Sequence, residues 1–148
     1  MPTVSRTRSD LGNPAPRARA ERFEDLVAWQ KARVLVKEVY LATREPRFAR
    51  DFAFANQIQR AAVSILSNIA EGFERAHPRE FHQALAVARA SCAEVRAQLY
   101  VALDVGYLTD ERFESLMNAA TEVGRIIGGL RLSVARRLET KAALISKD

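Results

Sequence analysis

The sequence predicts an all-α fold, an antiparallel up-down-up-down bundle of four helices. Four segments repeat apolar residues at steps of three and four, the spacing that places side chains on one face of an α-helix. The residues between them show neither β-strand alternation nor a hairpin turn signal. The three connections are short, so each helix is expected to return alongside the one before it.

Length and composition favour one domain that contains no membrane span. Of the 148 residues, 48% are hydrophobic but only 7% are aromatic, which suits a core of aliphatic side chains. The single cysteine, Cys92, excludes an intrachain disulfide framework. Residues 1–21 are basic and interrupted by prolines, and they lack the apolar region of a signal peptide. We therefore expect a disordered leader, a bundle over residues 22–139, a basic tail over 140–148, and a cytoplasmic protein.

The first two helices are predicted over residues 23–44 and 51–75. Pro46 ends the first, because the residue before a proline is driven out of the α region. The expected core positions of the first helix are Leu26, Trp29, Val36, Val39 and Tyr40. Those of the second helix are Ile58, Ala62, Ile65, Ile69 and Phe73. The far side of the second helix carries a polar ribbon, also at helical spacing, formed by Arg60, Ser64, Asn68, Glu71 and Arg75.

The third helix is predicted over residues 78–104. Pro78 suits its first position, where a missing N–H costs nothing, and Gly106 supplies the stop. Its apolar positions follow steps of four and three and comprise Phe81, Leu85, Ala88, Cys92, Val95, Leu99 and Ala102. A second face repeats His82, Arg89 and Arg96 every seven residues.

The fourth helix is predicted over residues 109–139, with Thr109 as N-cap. Its apolar positions are Phe113, Leu116, Ala120, Val123, Ile127, Leu130, Val134 and Leu138. Gly124 and Gly128 share one face, although each glycine costs about 1 kcal/mol in a helix relative to alanine. Close approach of another backbone is the compensation we expect there.

The formal charge of +5 lies at the two ends of the chain. Residues 1–22 carry five arginines against two carboxylates, a net +3, and residues 131–148 carry five basic side chains against two carboxylates, again +3. The 108 residues between them hold 13 basic and 14 acidic side chains, a net −1. Basic clusters attract nucleic-acid phosphates by releasing condensed counterions. Solubility alone is the other use of such charge.

The sequence offers no catalytic or metal-binding constellation, so we expect neither an enzyme nor a cofactor. A di-iron bundle needs two Glu-x-x-His pairs and two further glutamates, and only Glu74 with His77 is present. That pair lies beside Pro78 and is typical of a surface turn. Cys92 lies in an apolar stripe, where a free thiol usually behaves as a small hydrophobic side chain. The remaining alternative is an active site formed by residues that are distant in the sequence and close in the folded chain.

Three motifs carry a resemblance to a known family. They are QIQRAAVSILSNIAEGFER at 57–75, RFEDLVAWQKA at 22–32, and the stretch from Glu80 through SCAEV at 91–95 to GYL at 106–108. Over about residues 22–132 the chain resembles the bacterial four-helix bundle proteins also called 23S rRNA-intervening-sequence proteins. The resemblance implies a homopentamer without known catalysis. One branch resembles the accessory variability protein of diversity-generating retroelements, which assists a reverse transcriptase.

Two functional hypotheses follow, and they differ in the partner. In the first, an oligomer binds RNA or DNA through phosphate contacts from Arg131, Arg136, Arg137 and Lys141. In the second, the bundle is a protein scaffold or accessory subunit for a nucleic-acid enzyme such as a reverse transcriptase. In that second hypothesis apolar and glycine-bearing helix faces make the contacts. The family resemblance singles out Arg60, Ser64, Asn68 and Glu71, which we expect to form a polar network at the oligomer interface, and Gly124 and Gly128 are expected there too. A solvated polar face is the simpler alternative for the ribbon.

Overall fold

The computed structural model describes residues 19–146, which form helices and their connections with no β-strand in that range. A 3-10 turn at Phe23–Asp25 precedes five helices. These are α1 (Val27–Ala42), α2 (Pro46–Arg50), α3 (Phe52–Glu74), α4 (Pro78–Asp104) and α5 (Asp110–Ile145). Among them, no helix is long and apolar enough to cross a membrane. The predicted leader lies largely outside the described range.

Four long helices share one core, so the prediction of an all-helical bundle is confirmed. α1 and α4 each pack against both α3 and α5. The core stripe predicted for the third helix, from Phe81 to Ala102, is buried at all seven positions. In α3 the predicted stripe is buried except for Phe73, which is partly buried.

The buried face of α1 differs from the prediction. Of the five predicted positions only Val39 is buried, and Tyr40 is 42% exposed. The face that meets α3 and α5 consists of Ala28, Ala32, Leu35, Val39 and Ala42. Its three alanines let the neighbouring helices approach closely, so the small side chains, and not Leu26 or Trp29, define the core stripe.

The predicted ends of two helices need correction. Leu26 has an extended backbone, with φ −73° and ψ 125°, so α1 begins at Val27 and not at residue 23. α5 continues to Ile145, six residues past its predicted end at 139. Most of the segment predicted as a basic tail is therefore helical. The prediction ended the helix early because residues 140–145 carry fewer core-facing large side chains, although nothing in them breaks a helix.

The short helix α2 was not predicted, and it joins two connections at one end of the bundle. α1 ends at Ala42, and Pro46 starts α2, because its fixed φ suits the first helical position. Phe48 is buried and lies 5.1 Å from the ring of Tyr107. The Tyr107 hydroxyl donates a hydrogen bond of 2.8 Å to Asp51, which raises the pKa of that hydroxyl. Asp51 also caps α3 by accepting from Phe54 N–H at 3.2 Å.

Among the glycines of residues 19–146, Gly72 has the tightest surroundings, between α3 and α4. A Cβ added there would collide with Cβ of Ala84 and lie 3.2 Å from Cδ2 of Phe81. Gly72 is buried, and its neighbours belong to the opposite helix, so nothing flexible can move aside. By contrast, a Cβ added at Gly129 on α5 would meet no atom within 4 Å.

These two glycines predict stability changes of opposite sign. Gly72→Ala should lower the free energy of unfolding by about 1–3 kcal/mol through overpacking. Gly129→Ala should raise it by about 0.5–1 kcal/mol, since alanine is the better helix former and the site is open. Urea unfolding of both variants and the parent protein measures the difference. Equal effects of the two substitutions would contradict the close packing of α3 on α4.

Candidate nucleic-acid interface

An open groove of about 750 Å³ runs between α4 and α5. We call it the arginine groove and define it by its basic lining residues, which are His82, Arg89, Arg96, Arg125 and Arg131. The rest of the lining is small or apolar, and no carboxylate belongs to it. The groove therefore presents four permanent positive charges and one histidine to the solvent.

Both walls of the groove follow from helical spacing. His82, Arg89 and Arg96 recur every seven residues, so they project from one face of α4 beside its buried stripe. On α5 the facing positions include Gly124 and Gly128. A Cβ added at Gly128 would lie 3.8 Å from Cζ of Arg89, and one at Gly124 would lie 3.9 Å from Cβ of Cys92. The missing side chains leave room for a guanidinium group.

The expectation of close backbone approach at the α5 glycines is not met within this chain. Both distances are ordinary van der Waals contacts, and the close approach lies instead at Gly72. Gly124 and Gly128 are half-buried and open towards the groove.

The arginines of the groove have no partners within the part of the chain that the structure describes. Arg89, Arg96, Arg125 and Arg131 make no side-chain hydrogen bond and no ion pair there; the two ion pairs of residues 19–146 lie elsewhere, at Arg22–Glu24 and Lys31–Glu122. Nε of Arg131 is inaccessible to solvent and lacks an acceptor. An unsatisfied buried donor costs about 1–3 kcal/mol.

Cys92 forms part of the base of the groove but is chemically inert. Its side chain is 2% exposed. Burial raises the pKa of the thiol from 9.0 to about 11, and the positive charge of Arg96 offsets only part of that rise. A thiol with such a pKa is almost entirely protonated at neutral pH, which agrees with its reading as a small hydrophobic side chain.

The raised thiol pKa predicts a loss of stability at alkaline pH. The folded state holds the proton more tightly than the unfolded state, so stability is constant below about pH 9 and falls as pH rises towards 11. At pH 10 the loss should be about 1 kcal/mol relative to pH 7. Urea unfolding at both values measures it, with Cys92→Ala as the control that lacks the thiol. An equal pH effect in parent and variant would assign the loss to other groups.

The four predicted nucleic-acid residues do not form one cluster. Arg131 lies in the arginine groove. Arg136 is exposed and follows the groove residue Leu132 by four positions, so it continues the same face of α5. Arg137 and Lys141 share a different face, and Arg137 lines a separate hollow beside Phe81.

Sequence reasoning did not include Arg89, Arg96 and Arg125 among the candidate site residues, although the structure places all three in the arginine groove. The seven-residue repeat on α4 was the available signal for the first two. No signal in the sequence places Arg125 opposite them, because that depends on the register between α4 and α5.

The polar ribbon of α3 lies on the other flank of α4. Ser64 Oγ lies 3.0 Å from Oγ of Ser91, and Asn68 Nδ2 donates to the carbonyl oxygen and hydroxyl of Ser64 at 2.8 and 3.1 Å. Arg60 and Glu71 are exposed, without a side-chain partner among residues 19–146. The six predicted interface residues therefore occupy two surfaces, since Gly124 and Gly128 lie in the arginine groove.

The described residues contain no group of three or more His, Cys, Asp or Glu side chains that could hold a metal ion. Glu74 and His77, the only Glu-x-x-His pair, are both exposed where α3 connects to α4.

Comparison with known proteins agrees with the fold. By its fold the protein is an all-helical bundle in which four long helices share a core. Residues 24–129 match the family model of the 23S rRNA-intervening sequence protein. The chain belongs to the 23S rRNA-intervening sequence protein family, which confirms the resemblance. The matched range contains Arg89, Arg96 and Arg125, whereas Arg131 and the last turns of α5 lie beyond it.

A solved structure shares this fold. It is a crystal structure of a protein with unknown function from the S23 ribosomal protein family of Bacteroides thetaiotaomicron VPI-5482. The TM-score is 0.66 at 23% sequence identity, and the match covers 71% of this chain and 98% of that chain. No curated protein matches the sequence.

Proposed function

We propose that this protein is a non-enzymatic, self-assembling helical bundle that binds nucleic acid through its phosphates, without a cofactor. The observation that carries the proposal is the arginine groove, with four arginines and no carboxylate in its lining. None of these arginines has an acidic partner among the described residues, so their guanidinium groups are free to bind an anion. Phosphate oxygens accept hydrogen bonds from guanidinium groups in a bidentate geometry, which makes arginine well suited to this ligand.

The last turns of α5 extend the basic surface. Arg136, Arg137 and Lys141 are exposed on a helix of 36 residues, which is longer than the 27 residues of α4. Because Gly128 lies opposite Arg89, residues after about 138 pass beyond the start of α4. We propose that these side chains add phosphate contacts outside the groove.

We further propose that the helices run up-down-up-down. Three residues connect α3 to α4, which leaves no length for a return along the bundle. Contacts between the helices support the same arrangement. Ser64 meets Ser91 while Gly72 meets Ala84, so residue numbers rise on α3 as they fall on α4. On α5 and α4, Gly124 meets Cys92 and Gly128 meets Arg89 in the same sense.

The proposed assembly is the homopentamer that the family resemblance implies, with the polar ribbon as its contact surface. Arg60 and Glu71 carry opposite charges about 16 Å apart along one face of α3 and have room to pair with a neighbouring copy. We reassign Gly124 and Gly128 from the interface to the groove, where their small size accommodates Arg89. Five copies of +5 would carry +25 on one particle, which strengthens attraction to a polyanion. The free Cys92 suits a reducing cytoplasm.

A protein scaffold, for example for a reverse transcriptase, is the second candidate function. The end of α5 favours it, because Leu144 and Ile145 are 64% and 67% exposed on turns that extend past α4. A partner that covered these side chains would bind by apolar contact. Such binding would survive high salt, whereas phosphate binding would not.

The proposed function predicts a salt-dependent particle mass. Light scattering should give the mass of a pentamer, and added structured RNA or duplex DNA should raise it at about 50 mM salt but not at about 300 mM. A pentamer that ignores nucleic acid at both salt concentrations would favour the scaffold. A monomer would contradict the proposed assembly.

The ribbon predicts that Asn68→Leu dissociates the oligomer. The substitution removes the amide that bonds to Ser64 and places an apolar side chain in a polar contact, where an unsatisfied neighbour costs about 1–3 kcal/mol. Asn118→Leu is the matched control, since Asn118 is exposed on α5 away from the ribbon. Light scattering should report monomer for the first variant and pentamer for the second. An unchanged mass and melting temperature for Asn68→Leu would mean that the ribbon faces water.

A further inference from the structure

The basic side chains of the arginine groove form one row that alternates between its walls. The contacts of Gly124 with Cys92 and Gly128 with Arg89 fix the register between the two antiparallel helices. In that register Arg131 on α5 lies opposite about residue 85 of α4, and Arg125 lies opposite about residue 91. The order along the groove is therefore His82, Arg131, Arg89, Arg125 and Arg96, taken in turn from α4 and α5.

The row follows the groove, with intervals of about 3 to 7 Å between neighbouring positions. Its ends, His82 and Arg96, are 14 positions apart on α4, which corresponds to about 21 Å. Five side chains over that length give one basic group per roughly 5 Å.

We infer that the groove binds one single strand of RNA or DNA, with several consecutive phosphates along this row. The inference rests on the proposed function and specifies the form of its ligand. A strand of duplex DNA turns about its axis once per roughly 34–36 Å. Over 21 Å it would complete more than half a turn and leave the groove. A flexible single strand can follow the row from end to end. His82 adds an N–H donor at one end of the row, in either of its protonation states.

The lining also specifies how the strand is read. No aromatic side chain lines the groove, and the only large apolar one is Leu132, which is 61% exposed. Single-stranded binding with base recognition or strong stacking uses aromatic platforms. The bases of the bound strand therefore point to solvent, and the groove binds phosphates independently of sequence.

The test compares three double variants of the full-length protein, each with two positive charges fewer. Arg96→Gln with Arg125→Gln removes two members of the row, and both side chains are exposed, so the fold should remain. Arg44→Gln with Arg50→Gln is the control at exposed positions off the groove. Arg137→Gln with Lys141→Gln tests the last turns of α5. Circular dichroism and melting temperature check that each variant folds.

Fluorescence anisotropy measures the affinity for labelled oligothymidylate and oligouridylate of about 12 nucleotides, for a mixed-sequence strand, and for a duplex of similar length. The parent should bind the three strands with similar affinity and the duplex more weakly. Its logarithmic salt slope on single strands should be about −3, from four arginines. The groove variant should lose about tenfold or more in affinity and flatten the slope by about 1.4. The control off the groove should lose less than about threefold.

Four results would overturn the inference. Duplex binding as tight as single-strand binding excludes the proposed ligand form. A loss confined to the Arg137 and Lys141 variant moves the site to the end of α5 and leaves the proposed function intact. If the groove variant changes the particle mass but binds the strands as the parent does, the groove is a contact surface for a neighbouring copy of the chain. Absence of binding to every probe at about 50 mM salt removes the proposed function as well.

Discussion

The packing of α4 between α3 and α5 is the constraint on which the rest of the structure depends. α4 buries one stripe from Phe81 to Ala102 in the shared core, and its two flanks then face different helices. On one flank Gly72 brings α3 into direct contact with Ala84. On the other flank Gly124 and Gly128 leave α5 without side chains, so a groove opens. The rotation that buries the stripe therefore also determines where the arginines project.

The arginine groove is unfavourable for the fold taken alone. Two unit charges about 5 Å apart repel by roughly 0.8 kcal/mol even in water, and the row contains several such neighbours. Most of these guanidinium groups are exposed, so solvent and salt screen the repulsion. Nε of Arg131 lacks that screening because it is buried without an acceptor. Glu94 on α4 is not part of the groove lining, and its carboxylate accepts a hydrogen bond from Gln98. The proposed phosphate ligand would neutralise part of the positive charge of the groove.

The sequence predicts the parts of this structure that depend on one helix at a time. The stripes of α3 and α4 follow from steps of three and four, and Gly106, with φ +78°, ends α4 as expected. The predicted buried face of α1 was wrong because its core contacts are made largely by alanines, which carry little hydrophobic signal but allow close packing. α2 could not be predicted, since five residues show no periodicity.

The candidate site depends on two helices together, and so the sequence identified it only in part. Counting charge along the chain selected Arg136 and Arg137, yet adjacent residues on a helix project about 100° apart, so only Arg136 continues the face of the groove. The repeat of His82, Arg89 and Arg96 was visible in the sequence. Its match with Arg125 and Arg131 required the register between α4 and α5, which only the folded chain provides.

The proposed interface and the proposed ligand site occupy opposite flanks of α4, and so they are compatible. A ring that assembled through the ribbon of Ser64 and Asn68 would leave every arginine groove open. A neighbouring copy that filled the groove instead would have to bring several carboxylates, whereas the face around the ribbon offers Glu71 and Glu80 next to Arg75. Grooves that bind phosphates without reading bases have modest affinity for a short strand. A ring of protomers would carry several such grooves, and it would gain avidity only on a strand long enough to reach a second groove. Assembly would therefore make the protein selective for long, unpaired nucleic acid.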